Sequence, residues 1–345
     1  MKKGEVTVVV AIVFGGRSLE HDESINVARK VYHYAIKGKL ERKYDFMYFY
    51  LTENNFWIDG REAEKLATIK GYGPPKTKAF RRIPKSLLKC HVIYNTMMGT
   101  SGENGNIMGL ADLLRVPIIG CDILASVVAL DKHIAKRLVQ SAGIPVVDYL
   151  YFDRTDNPKE MADMIDQKIK YPCFVKPTNL GTCYFIFKAN DKSEFMKKWK
   201  ETIKYNKLSS KYLIEKFVPN IEIRVFVFED MKGNLQTNDL YATTLKEKAL
   251  ETGGVMFDHI DNSMSDSVRN KIKSYAIQIF KLFQMKDYGR IDFFVCSDQK
   301  KIYFNEANTQ PFLSGYNFKL MQKQNGIDYP KFLDMMIEKN IKDVM

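Results

Sequence analysis

The chain has no long apolar run. Nowhere do about 18 apolar residues follow one another, which removes a membrane-spanning helix from consideration. The one apolar stretch near the start, Val6 to Phe14, follows Met1-Lys2-Lys3-Gly4-Glu5 and leads into Gly15-Gly16-Arg17 without a small-residue cleavage pattern, so it reads as a first strand and not as a secretory signal. Cysteine is scarce. The five residues Cys90, Cys121, Cys173, Cys183 and Cys296 are scattered, odd in number and free of CxxC or Cys/His spacing. That pattern excludes a disulfide scaffold and structural zinc and points to reduced thiols in a cytoplasmic setting. Acid is short of base, with 41 Asp and Glu against 53 Lys and Arg and a net charge of +12. The lysines are spread along the whole chain with no block of interleaved aromatics, so the excess reads as a solvated surface attractive to anions and not as a nucleic-acid footprint. Internal repeats and low-complexity tails are absent.

What is present is an ordinary globular composition, 45% hydrophobic and 27% charged, over 345 residues, enough for two or three compact units. Val6 to Phe14 is β-branched and continuous, as a strand buried on both faces requires, and Ser24 to Ile36 follows with helical spacing of Ile25, Val27, Val31 and Tyr34. Strands at Asp45 to Leu51 and His91 to Met97, a helix near Ile107 to Leu114 and a short strand at Val116 to Ile119 continue the alternation. This predicts an open parallel α/β unit over residues 1–125. Glu62 to Lys89, rich in Lys, Pro and Gly, reads as an exposed connection. A helix over Asp131 to Ala142 stops at Gly143, and Ile144-Pro145 restarts extended chain. Strands at Tyr171 to Val175, Tyr184 to Lys188 and Tyr212 to Val218, with a helix from Lys192 to about Lys204, make an α+β unit over residues 126–219. A second α+β unit spans residues 220–345. It has strands at Glu222 to Phe228, Leu240 to Thr244, Arg290 to Cys296 and Lys301 to Asn305, and helices at Ser265 to Phe283 and Tyr329 to Lys339.

Asp292, Glu306 and Asn308 give the strongest chemical signal. Asp292 lies within one strand, and Glu306 and Asn308 alternate at i and i+2 on the next, so their oxygens face one side of a hairpin. Two carboxylates and an amide oxygen suit Mg²⁺ and not zinc; a polar strand edge is the alternative reading. Lys176 ends the apolar run Cys173-Phe174-Val175, where the chain turns through Asn179-Leu180-Gly181-Thr182, a turn able to aim N–H groups at phosphate oxygens. It lacks the GxxxxGK[ST] pattern. Glu215-Lys216-Phe217-Val218 followed by Glu222 offers backbone groups to an adenine edge and a carboxylate to ribose hydroxyls. Glu20 follows Phe14-Gly15-Gly16-Arg17-Ser18 at the carboxyl end of the first strand, the edge at which open α/β sheets bind ligands. Met98-Gly99-Thr100-Ser101-Gly102-Glu103-Asn104-Gly105 ends another strand and leads into a helix that Asn104 is placed to cap.

In order along the chain these pieces resemble the D-alanine:D-alanine ligase family of ATP-grasp enzymes. The resemblance runs through Phe14 to Ser24, Gly102-Glu103-Asn104-Gly105, Ala129-Leu130-Asp131-Lys132, Gly143-Ile144-Pro145, Val175-Lys176-Pro177, Gly289-Arg290-Ile291-Asp292 and Asn305-Glu306-Ala307-Asn308-Thr309. It implies an ATP-grasp fold, with an N-terminal α/β domain and two α+β subdomains clasping ATP, and usually a homodimer. It implies a ligase that activates a carboxylate as an acyl phosphate and couples it to an amine of a small amino-acid-like substrate. In this reading Lys132 and Lys176 touch ATP phosphates, and Thr182 and Cys183 belong to the phosphate loop. Glu215, Lys216, Val218 and Glu222 hold adenosine. Asp292, Glu306 and Asn308 bind two Mg²⁺, with Mn²⁺ an acceptable substitute, while Glu20 and Arg290 serve substrate and transition state. A nucleotide-binding relative without ligase turnover is the alternative function.

The departures from the family pattern fall at the substrate end. Met98, next to Gly99 in the substrate loop, stands where the family has histidine, and Asn104 replaces an aspartate. Gly181-Thr182-Cys183-Tyr184-Phe185 stands in place of a Gly-Ser-Ser-x-Gly run, so a bulky ring replaces a glycine. Pro311-Phe312 replaces Pro-Gly, and Asn317 replaces a serine that helps to hold the acceptor carboxylate. In the lid, Thr244-Leu245-Lys246-Glu247-Lys248-Ala249 aligns Lys248 with a γ-phosphate contact and places Ala249 where the family has tyrosine. Nucleotide and metal residues are kept while substrate residues differ, which predicts an altered substrate pocket.

Overall fold

The computed structural model describes residues 7–73, 75, 79–181, 184–245, 256–259, 264–296, 299, 301–311 and 316–342. Three sheets organise them. The first orders β3 (Trp57–Asp59), β2 (Tyr44–Leu51), β1 (Val8–Gly15), β4 (Val92–Asn95) and β5 (Ile118–Ile119) from one edge to the other. β2 and β4 run parallel to β1, and β5 runs parallel to β4; only the edge strand β3 is antiparallel. Val10, Ala11, Ile12, Val13 and Phe14 are wholly buried, as a continuous apolar strand covered on both faces must be.

The second sheet is antiparallel and orders β6 (Tyr149–Asp153), β9 (Lys211–Lys216), β7 (Cys173–Pro177) and β8 (Phe187–Ala189). The third is also antiparallel. It orders β13 (Met256–His259), β12 (Tyr241–Leu245), β10 (Asn220–Glu229), β14 (Tyr288–Cys296) and β15 (Ile302–Asn308), with β11 (Leu235–Thr237) paired to β10. β15 runs three residues beyond the expected end at Asn305, and this extension carries Glu306 and Asn308 into the ladder. Against the third sheet the helices Ile123–Leu130 and Lys132–Ser141 meet at Asp131, whose carboxylate accepts from His133 and Ile134 N–H and so starts the second helix at Lys132.

The segment Glu62 to Lys89 is not an exposed connection. A helix Arg61–Thr68 buries Ala63, Leu66 and Ala67 against the first sheet, the Phe80 backbone bridges Trp57, and Leu87 is fully buried. A few well-spaced apolar residues outweigh the Lys, Pro and Gly around them, because burial of a face and not mean polarity decides where a short helix docks. Further elements went unpredicted: the strands β3, β6, β11 and β13 and the helices Ile123–Leu130, Pro158–Met164 and Tyr316–Asn325. The last helix, Tyr329–Ile341, packs Phe332, Leu333, Met336 and Ile337 with Val10, Ile12 and Tyr94 of the first sheet. Tyr329 and Tyr94 share a hydrogen bond of 2.9 Å between their hydroxyls.

Candidate active site

A cavity of about 1680 Å³ opens between the three sheets, larger than the roughly 300–1,000 Å³ that a drug-sized ligand needs. Its wall draws on Glu20, Met98 and Glu103 beside the first sheet, Lys176, Glu215, Lys216 and Val218 at the second, Glu222, Arg224, Arg290, Glu306 and Asn308 on the third, and Lys132 from the helix Lys132–Ser141. Residues distant in sequence, singled out because they fit one chemistry, thus converge on one space.

The hairpin of β14 and β15 places the acidic set. Asp292 pairs across the ladder with Glu306, and Arg290 pairs with Asn308. Side chains two apart on a strand share a face, so all four project from the same side. Arg290 donates from Nε and Nη2 to both oxygens of Asp292 at 2.8 and 2.7 Å, a bidentate pair with Asp292 fully buried. Burial would lower the Arg290 guanidinium, but Asp292 outweighs it and keeps the group charged. Glu306 is half-buried, 3.3 Å from Lys132 Nζ. Burial would raise its carboxyl, but Lys132, Arg290, Lys176 and Arg224 together hold it down to about 2. Asn308 Oδ1 accepts from the Gln310 N–H at 3.0 Å. Among the described residues no three His, Cys, Asp or Glu side chains form a ready cage for a metal. Two carboxylates and an amide remain a hard-oxygen set of the kind Mg²⁺ takes when phosphates and water supply the other ligands.

The lysines sit opposite. Lys132 Nζ donates to the Leu180 carbonyl at 2.9 Å, which ties it to the turn after β7. Lys176 ends β7 with its ammonium 2.6 Å from Glu215 Oε2 and 3.1 Å from Asn305 Oδ1. Lys136, one helical turn beyond Lys132, is completely buried, 3.0 Å from Glu215 Oε1, and donates to the Phe304 carbonyl. Burial pulls Lys136 down to about 8 against the opposing pull of Glu215. Burial would likewise raise Glu215, but the two lysines outweigh it and hold its carboxyl below the usual range. The Glu215 carboxylate therefore fixes two lysines at the cavity wall. Lys216, Val218 and Glu222 line the wall, and Glu222 Oε1 accepts from Arg224 Nε and Nη2 at 3.0 and 2.9 Å.

Glu20 faces the same space from the loop after β1. Burial raises its carboxyl to about 7, with Lys132 pulling down and Glu306 and Glu23 pushing up. Glu103 is raised well above the carboxylate range, first by its burial and then by Glu20. Gly99 makes room for this carboxylate: at its φ of +67° a Cβ would stand 2.5 Å from Glu20 Oε2 and 2.3 Å from Ser18 Oγ. A Cβ on Gly181 would lie 3.5 Å from the same oxygen, so Glu20 flanks the turn after β7 as well. Met98 packs beside them, 8% exposed. Asn104 does not cap the helix that follows. Gly105 holds that position, and Asn104 Oδ1 accepts from the Asn106 N–H instead. Phe185 adopts a left-handed φ of +59°, the conformation for which glycine is the usual residue, at about 1–2 kcal/mol.

Thr182, Cys183 and Lys248 lie outside the described residues, and of Asn317 only the helical backbone, within Tyr316–Asn325, is described. Sequence reasoning missed Lys136, Arg224 and Asn305. Lys136 stands at i+4 from Lys132, Arg224 at i+2 from Glu222 and Asn305 just before Glu306, spacings that put Lys136 and Arg224 on the same faces as those residues without marking any of the three as a site residue.

Comparison with known proteins agrees along the whole chain. The family descriptions "D-ala D-ala ligase N-terminus" and "D-ala D-ala ligase C-terminus" match residues 9–121 and 138–338. A D-alanine--D-alanine ligase of Acetivibrio thermocellus is 30% identical, covering 95% of this chain and 94% of that protein. In fold, the D-Ala:D-Ser ligase of Enterococcus faecalis superposes with a TM-score of 0.79 at 22% identity, covering 97% of this chain and 100% of that one. A D-alanine--D-alanine ligase of Bacillus anthracis, solved in complex with ATP, superposes with a TM-score of 0.73 at 20% identity over 98% of each chain. Sequence, fold and cavity together assign this chain to the D-alanine--D-alanine ligase family, whose structural neighbours share the ATP-grasp fold.

Proposed function

We propose that the protein joins two amino acids of the D-alanine type at the cost of ATP, through an acyl phosphate. The observation that carries this is the convergence of Lys132, Lys176, Arg290, Glu306 and Glu20 on one cavity. Lys132 and Lys176 neutralise phosphate oxygens as the donor carboxylate attacks the γ-phosphorus, the bond to the bridging oxygen breaks and ADP leaves. Glu306 and Asn308, with the carboxylate of Asp292 beside them, would hold Mg²⁺, which supplies charge neutralisation on the transferring oxygens. Glu20 holds the ammonium of the donor amino acid. The acceptor amine then attacks the acyl carbon, inorganic phosphate leaves, and Arg290 stabilises the oxyanion of the tetrahedral intermediate. Glu222 takes the ribose hydroxyls, and the Lys216 and Val218 backbone takes the adenine edge. Lys248 reaches the γ-phosphate from the lid, Thr182 and Cys183 line the phosphate turn, and Asn317 with Met98 and Gly99 shapes the substrate end.

The units proposed are residues 1–125, 126–219 and 220–345, in a cytoplasmic homodimer. No helix among the described residues is long and apolar enough to cross a membrane. Leu113, Ile123, Leu124 and Val127 expose apolar surface on two adjacent helices and supply the dimer contact. The reaction is tested by incubating the protein with ATP, Mg²⁺ and a panel of D- and L-amino acids. ADP release that depends on D-alanine or a close analogue, with a dipeptide by mass spectrometry, is expected; ATP binding with no release on any amino acid would favour a relative without turnover.

The pH profile follows from Glu20. A carboxyl raised from 4.5 to about 7 is mostly protonated below neutrality, and only its ionised form pairs with an ammonium. kcat/KM for the donor amino acid therefore rises with pH through about 7. The stability sign is opposite. The folded state keeps the proton to higher pH than the unfolded chain, so this group's contribution to stability falls as pH rises from 4.5 to about 7. Lys132, Glu306 and Glu23 act on the Glu20 carboxyl, and Glu20 in turn raises Glu103. In Glu20→Gln the rising limb should vanish with the loss of donor affinity; an unchanged limb assigns it to another group.

A further inference from the structure

Arg224 is a buried cation that the reaction as described does not use. It stands on β10 directly across the ladder from Asp292 on β14, which stands across from Glu306 on β15. The three occupy one row of the sheet, on the face that carries Arg290 and Asn308 in the next row. Arg224 Nε and Nη2 both donate to Glu222 Oε1, at 3.0 and 2.9 Å, and Nε lies 3.6 Å from Asp292 Oδ2. The residue is 7% exposed and lines the cavity, so its guanidinium is held at the acidic row and does not swing into solvent.

Charge balance follows from this placement. Among the described residues each of these carboxylates is paired with a cation: Glu222 with Arg224, Asp292 with Arg290 and Glu306 with Lys132. A protein holds a hard dication through surplus negative charge and oxygen lone pairs turned toward it. Here Arg290 spans both oxygens of Asp292 and Arg224 adds a second cation at its edge, so little of either is left for a metal. A guanidinium carries its charge at every working pH, and its fork of N–H donors fits phosphate oxygens.

Resting on the reading of this cavity as a nucleotide and metal site, we propose that Arg224 is a built-in cation for the triphosphate. It stands at the place of one of the two metal ions expected there, so that the ligase takes up a single divalent cation per active site with its nucleotide. Arg224 would hold phosphate oxygens beside Asp292, while Glu306 and Asn308 hold the ion that enters with ATP.

The test counts ions. Full-length protein saturated with a non-hydrolysable ATP analogue is titrated with Mn²⁺, and bound ion is read by electron paramagnetic resonance, a readout independent of turnover. One Mn²⁺ per chain is expected for the natural protein and for Arg224→Lys, which keeps the charge. Two are expected for Arg224→Gln, where Glu222 and Asp292 lose their balancing cation. Two ions in the natural protein overturn the proposal and leave the nucleotide site standing, and this holds even if Arg224→Gln does not fold. One ion in both the natural protein and folded Arg224→Gln removes the role from Arg224. No Mn²⁺ with the analogue bound overturns the reading of a metal site altogether.

Discussion

Asp292→Ala should lower the D-alanine-dependent rate of ADP release by about 100- to 1000-fold. Asp292 is fully buried and holds the Arg290 guanidinium with two charge-assisted hydrogen bonds. Without it Arg290 loses the orientation that points its charge at the developing oxyanion, and a metal on Glu306 and Asn308 loses a neighbouring carboxylate. Both losses are felt more in the transition state than in the ground state, so kcat should fall further than KM for ATP rises. Nucleotide binding by calorimetry should change by less than about tenfold, because Lys132 and Lys176 remain. An Asp292→Ala protein that folds and keeps kcat within about tenfold would show that this carboxylate has no part in the chemistry.

Glu215→Ala carries the largest expected effect on stability. Its carboxylate is the shared partner of Lys136 and Lys176, at 3.0 and 2.6 Å, and both lysines are less than a tenth exposed. Removing one member of a buried ion set leaves like charges without compensation, at about 3–5 kcal/mol. A loss of that size in unfolding free energy, read as a lower urea midpoint, is expected, together with weaker ATP binding as Lys176 turns from the cavity. Adding Lys136→Met to Glu215→Ala should recover part of the loss, since one of the two stranded ammonium groups disappears. A single Glu215→Ala variant with an unchanged midpoint would mean that the lysines find water in its place.

How far the site could be read from sequence depended on whether partners lie close along the chain. Asp292, Glu306 and Asn308 were legible because strand alternation needs only i and i+2, and the ladder places Asp292 across from Glu306 as that alternation requires. Lys176 was legible from the apolar strand it terminates. Lys136 was not: a lysine in an amphipathic helix is ordinarily solvated, and only the approach of Glu215 from a strand some eighty residues away makes it a core residue. Arg224 was hidden in the same way, since nothing local distinguishes an arginine facing water from one facing Asp292 across a ladder. For Glu215 the resemblance suggests an adenosine contact; its carboxylate pairs with two lysines, a role no local pattern announces, while the residue still lines the cavity.

The fold shows the same division. β1 declared itself as an uninterrupted β-branched run, whereas the helix Arg61–Thr68 was masked by the polar composition around its three buried residues. The packing of Tyr329–Ile341 on the first sheet joins the two ends of the chain, a contact that no local pattern encodes. Lys43 and Tyr44 reach Asp334 on that helix at 2.8 and 2.6 Å and fasten the same junction at its rim.

The central claim is that one cavity gathers a triphosphate between the lysines of the second unit and the acidic row of the third. A crystal structure of the full chain with a non-hydrolysable ATP analogue and Mg²⁺ tests it most directly. It should place phosphate oxygens within about 3.2 Å of Lys132 and Lys176 Nζ, with the metal on Glu306 and Asn308 oxygens. An analogue bound elsewhere, or seated in this cavity with its phosphates turned away from those two lysines, would contradict the account.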